Sequence, residues 1–243
     1  MSRTRGAIVV GASSGIGEAL ARELASAGYE VGLAARRRDR LTQIGEELPT
    51  RAYVAKMDVS DTEDARQGFD ELASAMGSVD LVVISAAVGH LNRELEWESE
   101  RETIDVNVRG FTAIATAAMD HFDSRGGGHL VGISSVGAVF GNPGAPAYNA
   151  SKAFVSTYLE GLRNRQAERE ADVAVTTVEP GFVDTEMAMG EDLFWVASPE
   201  IAAKQIARAI RKRRDHVYVT RRWRLVAWFL KAMPESIVRR VIS

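Results

Sequence analysis

The 243-residue chain contains no cysteine, which excludes disulfide bonds, thiolate metal sites and thiol nucleophiles. Its four histidines, His90, His121, His129 and His216, lack the short spacings of metal ligands, so no zinc centre is expected. Apolar runs stay below the roughly 18 residues of a membrane-spanning helix. The first residues hold no apolar stretch of secretory length. These absences favour a cytoplasmic protein without a metal.

Charge is divided unevenly along the chain. Residues 211–243 carry a net charge of +8, and the whole chain carries −3, so residues 1–210 carry −11. An acidic body argues against nucleic-acid binding. In residues 221–243, arginine and lysine alternate with Trp223, Trp228, Phe229 and several aliphatic residues. This basic amphipathic segment therefore needs its own explanation.

Short apolar runs alternate with helical patterns along the chain. The strand-like runs are Ala7–Val10, Glu30–Ala35, Arg51–Met57, Asp80–Ser85, His129–Ser134 and Val173–Glu179. The helical patterns include Glu18–Ala27, Asp61–Met76, Glu100–Phe122 and Ser151–Arg169. Apolar strands separated by amphipathic helices predict an α/β fold with a doubly wound parallel sheet of the Rossmann type. A single domain over residues 1–243 is expected, with ligands beyond the carboxyl ends of the strands.

A glycine-rich turn, Gly11-Ala-Ser-Ser-Gly15-Ile-Gly17, follows the first predicted strand and opens a helix. Glycines let the backbone approach a pyrophosphate, whose charge the helix N-terminus stabilises. The spacing is not that of the common dinucleotide fingerprint, G-x-G-x-x-G, and the turn taken alone is compatible with an ordinary strand–helix connection. It resembles instead the turn of the short-chain dehydrogenase/reductase family, although Val10 stands where that family usually has threonine.

The resemblance covers roughly residues 5 to 220. Five further motifs carry it: Tyr148-Asn-Ala-Ser-Lys152, Ser135 thirteen residues before Tyr148, Asn107, Pro180-Gly-Phe-Val-Asp-Thr185, and Asp58-Val59. The resemblance implies a catalytic set of Asn107, Ser135, Tyr148 and Lys152. The cofactor-binding residues implied are Gly11, Ser13, Ser14, Gly15, Ile16, Gly17, Arg36, Asp58, Val59, Tyr148, Lys152, Pro180, Gly181, Val183 and Thr185. One segment departs, because Ile84-Ser85-Ala86-Ala87 replaces the usual Asn-Asn-Ala-Gly.

The residues themselves indicate transfer of a hydride to or from a carbonyl carbon. Tyrosine titrates near 10, so acid/base exchange near neutrality needs a shift of about three units, or ~4 kcal/mol. Lys152 is one helical turn from Tyr148 and is expected to supply it. Ser135 is expected to donate a hydrogen bond to the substrate oxygen. Adjacent strand residues face opposite ways, so only one of Ser134 and Ser135 faces the site, and the interval selects Ser135. By resemblance, Asn107 positions a water in a proton relay.

The end of the second predicted strand favours NADP(H) over NAD(H). An NAD enzyme places an acidic residue about 20 residues after the glycine turn, where this chain has Ala35 followed by Arg36. Arg36 is expected to bind the 2′-phosphate through its planar fork, with help from Ser13. Arg37 and Arg38 are interpreted as solvated charges that open the next helix.

Substrate and assembly are less defined by the sequence. Residues 186–197 resemble the family's substrate lid, and their apolar side chains suggest an apolar or mixed substrate, although a loop packed on its own core explains them nearly as well. For residues 221–243, self-packing or contact in a homodimer or homotetramer is favoured over contact with a membrane.

The function expected is an NADP-dependent carbonyl reductase or alcohol dehydrogenase. A 3-oxoacyl-thioester reductase and a non-catalytic NADP-binding sensor remain as alternatives.

Overall fold

The computed structural model describes residues 5–185 and 195–233. Seven parallel strands form one sheet in the order β3-β2-β1-β4-β5-β6-β7. The strands are β1 Arg5–Val10, β2 Tyr29–Ala35, β3 Ala52–Lys56, β4 Leu81–Ile84, β5 Gly127–Ile133, β6 Asp172–Pro180 and β7 His216–Val219. The helices are α1 Gly15–Ser26, α2 Arg38–Glu47, α3 Thr62–Met76, α4 Trp97–Ile104, α5 Phe111–Arg125, α6 Pro146–Gln166, α7 Pro199–Arg211 and α8 Trp223–Ala232. A π-helical turn, Asp105–Gly110, joins α4 to α5, and a 3₁₀ turn, Val136–Val139, follows β5.

Helices cover both faces of the sheet. Helices α3, α5 and α6 bury apolar side chains such as Phe69, Phe122 and Leu159 against one face. On the other face, α1, α2 and α7 bury side chains such as Leu20, Ile44 and Ile206. A parallel sheet needs such cover on both sides because its strands are apolar on both faces. The architecture is the doubly wound, single-domain α/β fold predicted from the sequence.

All six predicted strands are confirmed, with bounds that differ by one or two residues at most ends. The pattern at residues 100–122 is helical from Trp97 to Arg125, interrupted by the π-helical turn. Strand β7 and helices α7 and α8 were not predicted. The four residues of β7 form an edge strand within the basic part of the chain, too short for a periodic signal. In the described ranges, no helix is long and apolar enough to cross a bilayer.

The strand order reverses beside β1, which pairs with β2 on one side and β4 on the other. Connections from adjacent strands leave in opposite directions at such a point, so a crevice opens beyond the carboxyl ends of the strands. The segments after β1, β4, β5 and β6 all begin at this edge of the sheet. The candidate site is built from these segments.

The space around two glycines predicts opposite effects on stability. A Cβ on Gly6 in β1 would lie 1.8 Å from the carbonyl oxygen of Ser78, whereas a Cβ on Gly161 in α6 meets nothing within 4 Å. Gly161→Ala should raise the free energy of unfolding by about 0.5–1 kcal/mol through helix propensity. Gly6→Ala should lower it by about 1–3 kcal/mol through overpacking. Denaturant titration of both variants checks this, and a stable Gly6→Ala protein would contradict the packing of β1.

Candidate active site

The glycine-rich turn packs directly on the segment that follows β4. Gly11 and Gly15 have φ angles of +88° and +55°, which other residues rarely adopt. A Cβ on Gly11 would lie 2.4 Å from the amide nitrogen of Ala86, and one on Gly17 would lie 2.1 Å from the oxygen of Gly11. Ser14 precedes α1 without capping it through its side chain. The turn therefore leaves the N-terminus of α1 open to a ligand at the switch point of the sheet.

The segment that departs from the family pattern is held by backbone and by Asn107. The amides of Ser85 and Ala86 donate to the oxygen of Val10 at 2.8 and 2.9 Å. The amide of Val88 donates to Asn107 Oδ1, and Asn107 Nδ2 donates to the oxygen of Val88, both at 2.8 Å. These contacts fix the chain beyond β4 without the usual asparagines.

Asn107 is buried in the π-helical turn between α4 and α5, a type of turn that is frequent at functional sites. Its Nδ2 also donates to Ser151 Oγ at 3.0 Å. Because Ser151 belongs to α6, this bond ties the turn to the helix that carries Tyr148 and Lys152. The Asn107 amide thus positions Val88 and α6, and its part in a water relay stays a prediction.

Tyr148 lies in the first turn of α6, and Lys152 follows one turn later. The Lys152 Nζ is 5.6 Å from the centre of the Tyr148 ring and donates to the carbonyl oxygen of Ile133 at 3.1 Å. Ser135 follows β5, accepts a hydrogen bond from the Gly137 amide at 3.0 Å, and is hydrogen bonded to the Tyr148 hydroxyl. The three side chains that sequence reasoning grouped together therefore meet at one point.

Burial dominates the ionisation of this group. It raises the pKa of Tyr148, and the hydrogen bond with Ser135 acts weakly in the opposite direction. It lowers the pKa of Lys152 to about 8, because this residue is only 3% exposed. The expectation that Lys152 lowers the pKa of Tyr148 is therefore wrong for the protein alone. Desolvation of the phenolate is the main cause of the rise, and the ammonium group of Lys152 donates instead to the Ile133 carbonyl oxygen.

Ser134 faces the opposite way from Ser135 and belongs to a buried polar network. Its hydroxyl donates to the backbone oxygen of Lys152 at 2.7 Å. The Ser156 hydroxyl lies 2.9 Å from Ser134 Oγ and 2.7 Å from Glu179 Oε1. Glu179, at the end of β6, is 3% exposed, and its Oε2 lies 3.2 Å from His216 Nε2 of β7. The network joins β5, β6 and β7 to α6, and sequence reasoning missed it.

The edge beyond β2 carries two arginines with different surroundings. Arg36 is exposed and lies near Asp58. Burial alone would raise the pKa of Asp58, but hydrogen bonds from Ser60 and the charge of Arg36 together lower it. Arg37 donates to Ser13 Oγ at 3.2 Å and to the Ser13 carbonyl oxygen at 3.3 Å. Arg37 is exposed and precedes α2 as its N-cap residue, as the sequence predicts, and its guanidinium also hydrogen bonds to the glycine-rich turn, which the sequence did not indicate.

The segment that follows β6 lies against α8 at its start and against the glycine-rich turn at its end. A Cβ on Gly181 would lie 1.9 Å from the indole nitrogen of Trp223, so only glycine allows this approach. Thr185 donates to the oxygen of Val183 at 3.3 Å, and its methyl group would lie 2.9 Å from a Cβ on Gly15. The predicted motif residues 180–185 therefore border both the turn and the end of the sheet. Of the predicted lid, residues 186–194 lie outside the described ranges.

Comparison with known proteins agrees with this geometry. A family model described as short chain dehydrogenase matches residues 5–193. An uncharacterised oxidoreductase of Mycobacterium tuberculosis is 40% identical over 189 residues, which cover 74% of this chain and 74% of the relative.

Two solved structures have similar sequences as well as similar folds. The alcohol dehydrogenase from the archaeon Thermococcus sibiricus, complexed with 5-hydroxy-NADP, is 28% identical with a TM-score of 0.79, covering 89% of this chain and 96% of that one. A 3-ketoacyl-ACP reductase from Sinorhizobium meliloti is 28% identical with a TM-score of 0.78, covering 88% of this chain and 96% of that one. This chain therefore belongs to the short-chain dehydrogenase/reductase family of oxidoreductases.

Proposed function

We propose that the protein is an NADP(H)-dependent carbonyl reductase or alcohol dehydrogenase with Tyr148 as its acid/base. The proposal rests on one observation. The side chains of Tyr148, Ser135 and Lys152 lie together at the carboxyl edge of the sheet. A hydroxyl that can give up a proton lies there beside a hydrogen-bonding hydroxyl and a buried cation. This combination suits the protonation of a carbonyl oxygen during its reduction.

The residues present fit a dinucleotide cofactor. At Gly11 and Gly17 a Cβ would collide with the protein's own backbone, so glycine is required for the tight turn that leads into the N-terminus of α1. Such a turn suits the binding of a pyrophosphate. Asp58 and Val59 follow β3, and residues 181–185 follow β6, so both segments begin at the carboxyl edge of the same sheet. A nicotinamide cofactor bound there would donate or accept the hydride.

The proton chemistry follows from the ionisation of the site. A raised pKa keeps Tyr148 protonated, which is the form that donates to a carbonyl oxygen. The Lys152 charge, whose Nζ lies 5.6 Å from the centre of the Tyr148 ring, stabilises the tyrosinate left behind. In the oxidative direction Tyr148 is the base. Ser135 holds the substrate oxygen, and Asn107 fixes the segment at Val88 and, through Ser151, the helix of Tyr148.

The preference for NADP(H) rests on Arg36, with Arg37 as a second cation. Ala35 ends β2 without a carboxylate that would repel a 2′-phosphate. Within the part of the chain that the structure describes, the Arg36 guanidinium has no hydrogen bond, so it is available to a phosphate. Arg37 is already bound to Ser13. The 5-hydroxy-NADP in the Thermococcus sibiricus structure supports the same choice.

A 3-oxoacyl-thioester reductase is the second candidate, supported by the name of the Sinorhizobium meliloti structure. The discriminating experiment is a panel of ketones, aldehydes and 3-oxoacyl thioesters, with consumption of NADPH followed optically. Turnover of simple ketones or aldehydes supports the first candidate, and turnover of thioesters alone supports the second. Stoichiometric NADPH binding without any turnover would favour a non-catalytic sensor.

Tyr148→Phe should lower kcat by about 10²–10⁴-fold because it removes the proton donor and leaves the ring packing. The dissociation constant of NADPH should stay within about threefold. Steady-state kinetics and nicotinamide fluorescence measure the two effects. A Phe variant that keeps more than about a tenth of the wild-type kcat, with chemistry rate-limiting, would show that another group donates the proton.

Arg36→Ala should raise the dissociation constant of NADPH by about 10–150-fold, because a hydrogen bond to a charged group contributes ~1.5–3 kcal/mol. NADH should bind as before, since it lacks the phosphate. Arg38→Ala, at the exposed first position of α2, is the matched control and should change neither affinity. Fluorescence titration of each variant with both cofactors measures these affinities. Equal weakening of NADH and NADPH binding by Arg36→Ala would contradict the role of Arg36 in binding the 2′-phosphate.

Lys152→Met should stabilise the fold at pH 7 while it abolishes activity. Burial lowers the pKa of Lys152 to about 8 in the folded protein, so the unfolded chain binds more protons between pH 8 and about 10.5. The stability of the wild type should therefore rise across this window relative to the variant. The variant should be more stable by about 1–3 kcal/mol at pH 7, and the difference should shrink by pH 10. Denaturant titrations at both pH values check this, and a less stable variant at pH 7 would contradict it.

A further inference from the structure

Helix α8 packs beside the candidate active site through one face only. Trp223 and Ala227 are buried, and the Trp223 indole lies against Gly181 at the end of β6. The helix also contacts the 3₁₀ turn that follows Ser135. The inner face of α8 is thus part of the structure around the site.

The outer face of α8 is also apolar, and it is largely exposed among the residues that the structure describes. Leu225, Trp228 and Phe229 are 68%, 71% and 58% exposed. Their i, i+3, i+4 spacing places them in one stripe along the helix. At 100° per residue, Arg222 and Arg224 lie on the two flanks of this stripe. We call this surface, made of residues 222, 224, 225, 228 and 229, the α8 outer face.

The charged residues along the sequence of α8 and its approach have one sign. The sequence has no acidic residue between His216 and Met233, although the whole chain carries −3. Aromatic and aliphatic side chains flanked by arginine are the features of a helix that lies in the plane of a membrane interface, where the apolar stripe enters the lipid and the cations meet anionic headgroups.

A second copy of the chain fits the α8 outer face less well. Three exposed side chains of this size offer on the order of 400 Å², whereas a stable dimer buries about 800 Å² per partner. Arg222 and Arg224 of one copy would also approach those of the other across a twofold axis, since such an interface brings the same patch together. Charge and area therefore both favour a lipid surface.

We propose that the α8 outer face binds peripherally to a membrane surface that contains anionic lipid. Because the inner face of the same helix lies against Gly181, this docking brings the end of β6 close to the bilayer. A lipophilic carbonyl compound or alcohol dissolved in the membrane would then be the substrate class. This last step rests on the proposed function, whereas the membrane contact does not.

The test is co-sedimentation of the full chain with vesicles at ~0.15 M salt, where screening weakens attraction between exposed charges. Vesicles of phosphatidylcholine with one quarter phosphatidylglycerol should bind the wild type at least about tenfold better than pure phosphatidylcholine. The Trp228→Ser, Phe229→Ser double variant should lose at least about tenfold in binding. Arg222→Gln, Arg224→Gln should lose a similar factor at low salt, since each cation near an anionic surface contributes about 1 kcal/mol.

Trp97→Ser is the matched control. Trp97 is 65% exposed, which is close to the 71% of Trp228. It lies between Glu96 and Glu98, so it should not contribute to binding of anionic lipid. Each variant must retain the wild-type thermal transition and NADPH affinity, and that affinity separates a failure of the membrane proposal from a failure of the proposed function. Leu225→Lys provides a second substitution in the stripe if the double variant does not fold.

Three results would overturn the proposal. The first is a wild-type chain that does not sediment with anionic vesicles. The second is an equal loss of binding in Trp97→Ser. The third is a vesicle-free wild type that forms an oligomer which the Trp228→Ser, Phe229→Ser variant dissociates, because the α8 outer face would then bind a second copy.

Discussion

The ammonium group of Lys152 is buried beside the ring of Tyr148 and is held by the Ile133 carbonyl oxygen at 3.1 Å. A cation in this position is costly, because removal from water favours its neutral form. The same removal favours the neutral phenol of Tyr148. The proposed acid/base chemistry depends on this shared burial, since a charge formed on either group changes the stability of the other.

The geometry of α6 is set by the ends of two parallel strands. Strand β5 supplies Ile133 to hold the Lys152 side chain, and the next residue, Ser134, holds its backbone oxygen. Strand β6 supplies Glu179, which meets Ser156 on the following turn of α6. Because consecutive strand residues face opposite ways, Ser135 turns to Tyr148 when Ser134 turns to the network. The sheet edge therefore fixes both the proton donor and its cation.

Local patterns in the sequence predicted the sheet, the glycine-rich turn and the Tyr148–Lys152 pair, because each depends on residues a few positions apart. Contacts between distant segments could not be predicted. The bond from Arg37 to Ser13 depends on how the β2 connection folds over the turn, and the approach of Trp223 to Gly181 depends on a helix 42 residues later in the chain. The direction of the Tyr148 pKa shift was missed because its main cause is burial, which the sequence does not give.

The most direct test of this account is the pKa of Tyr148 itself, followed by NMR of the protein labelled with ¹³C at the tyrosine ζ carbon and assigned with Tyr148→Phe. In the protein alone, Tyr148 should titrate above its ordinary value of about 10. Saturation with NADP⁺ should lower that pKa by about one unit or more, because a second positive charge then joins Lys152. A Tyr148 that titrates below 10 in the protein alone, or that does not respond to NADP⁺, would contradict the account.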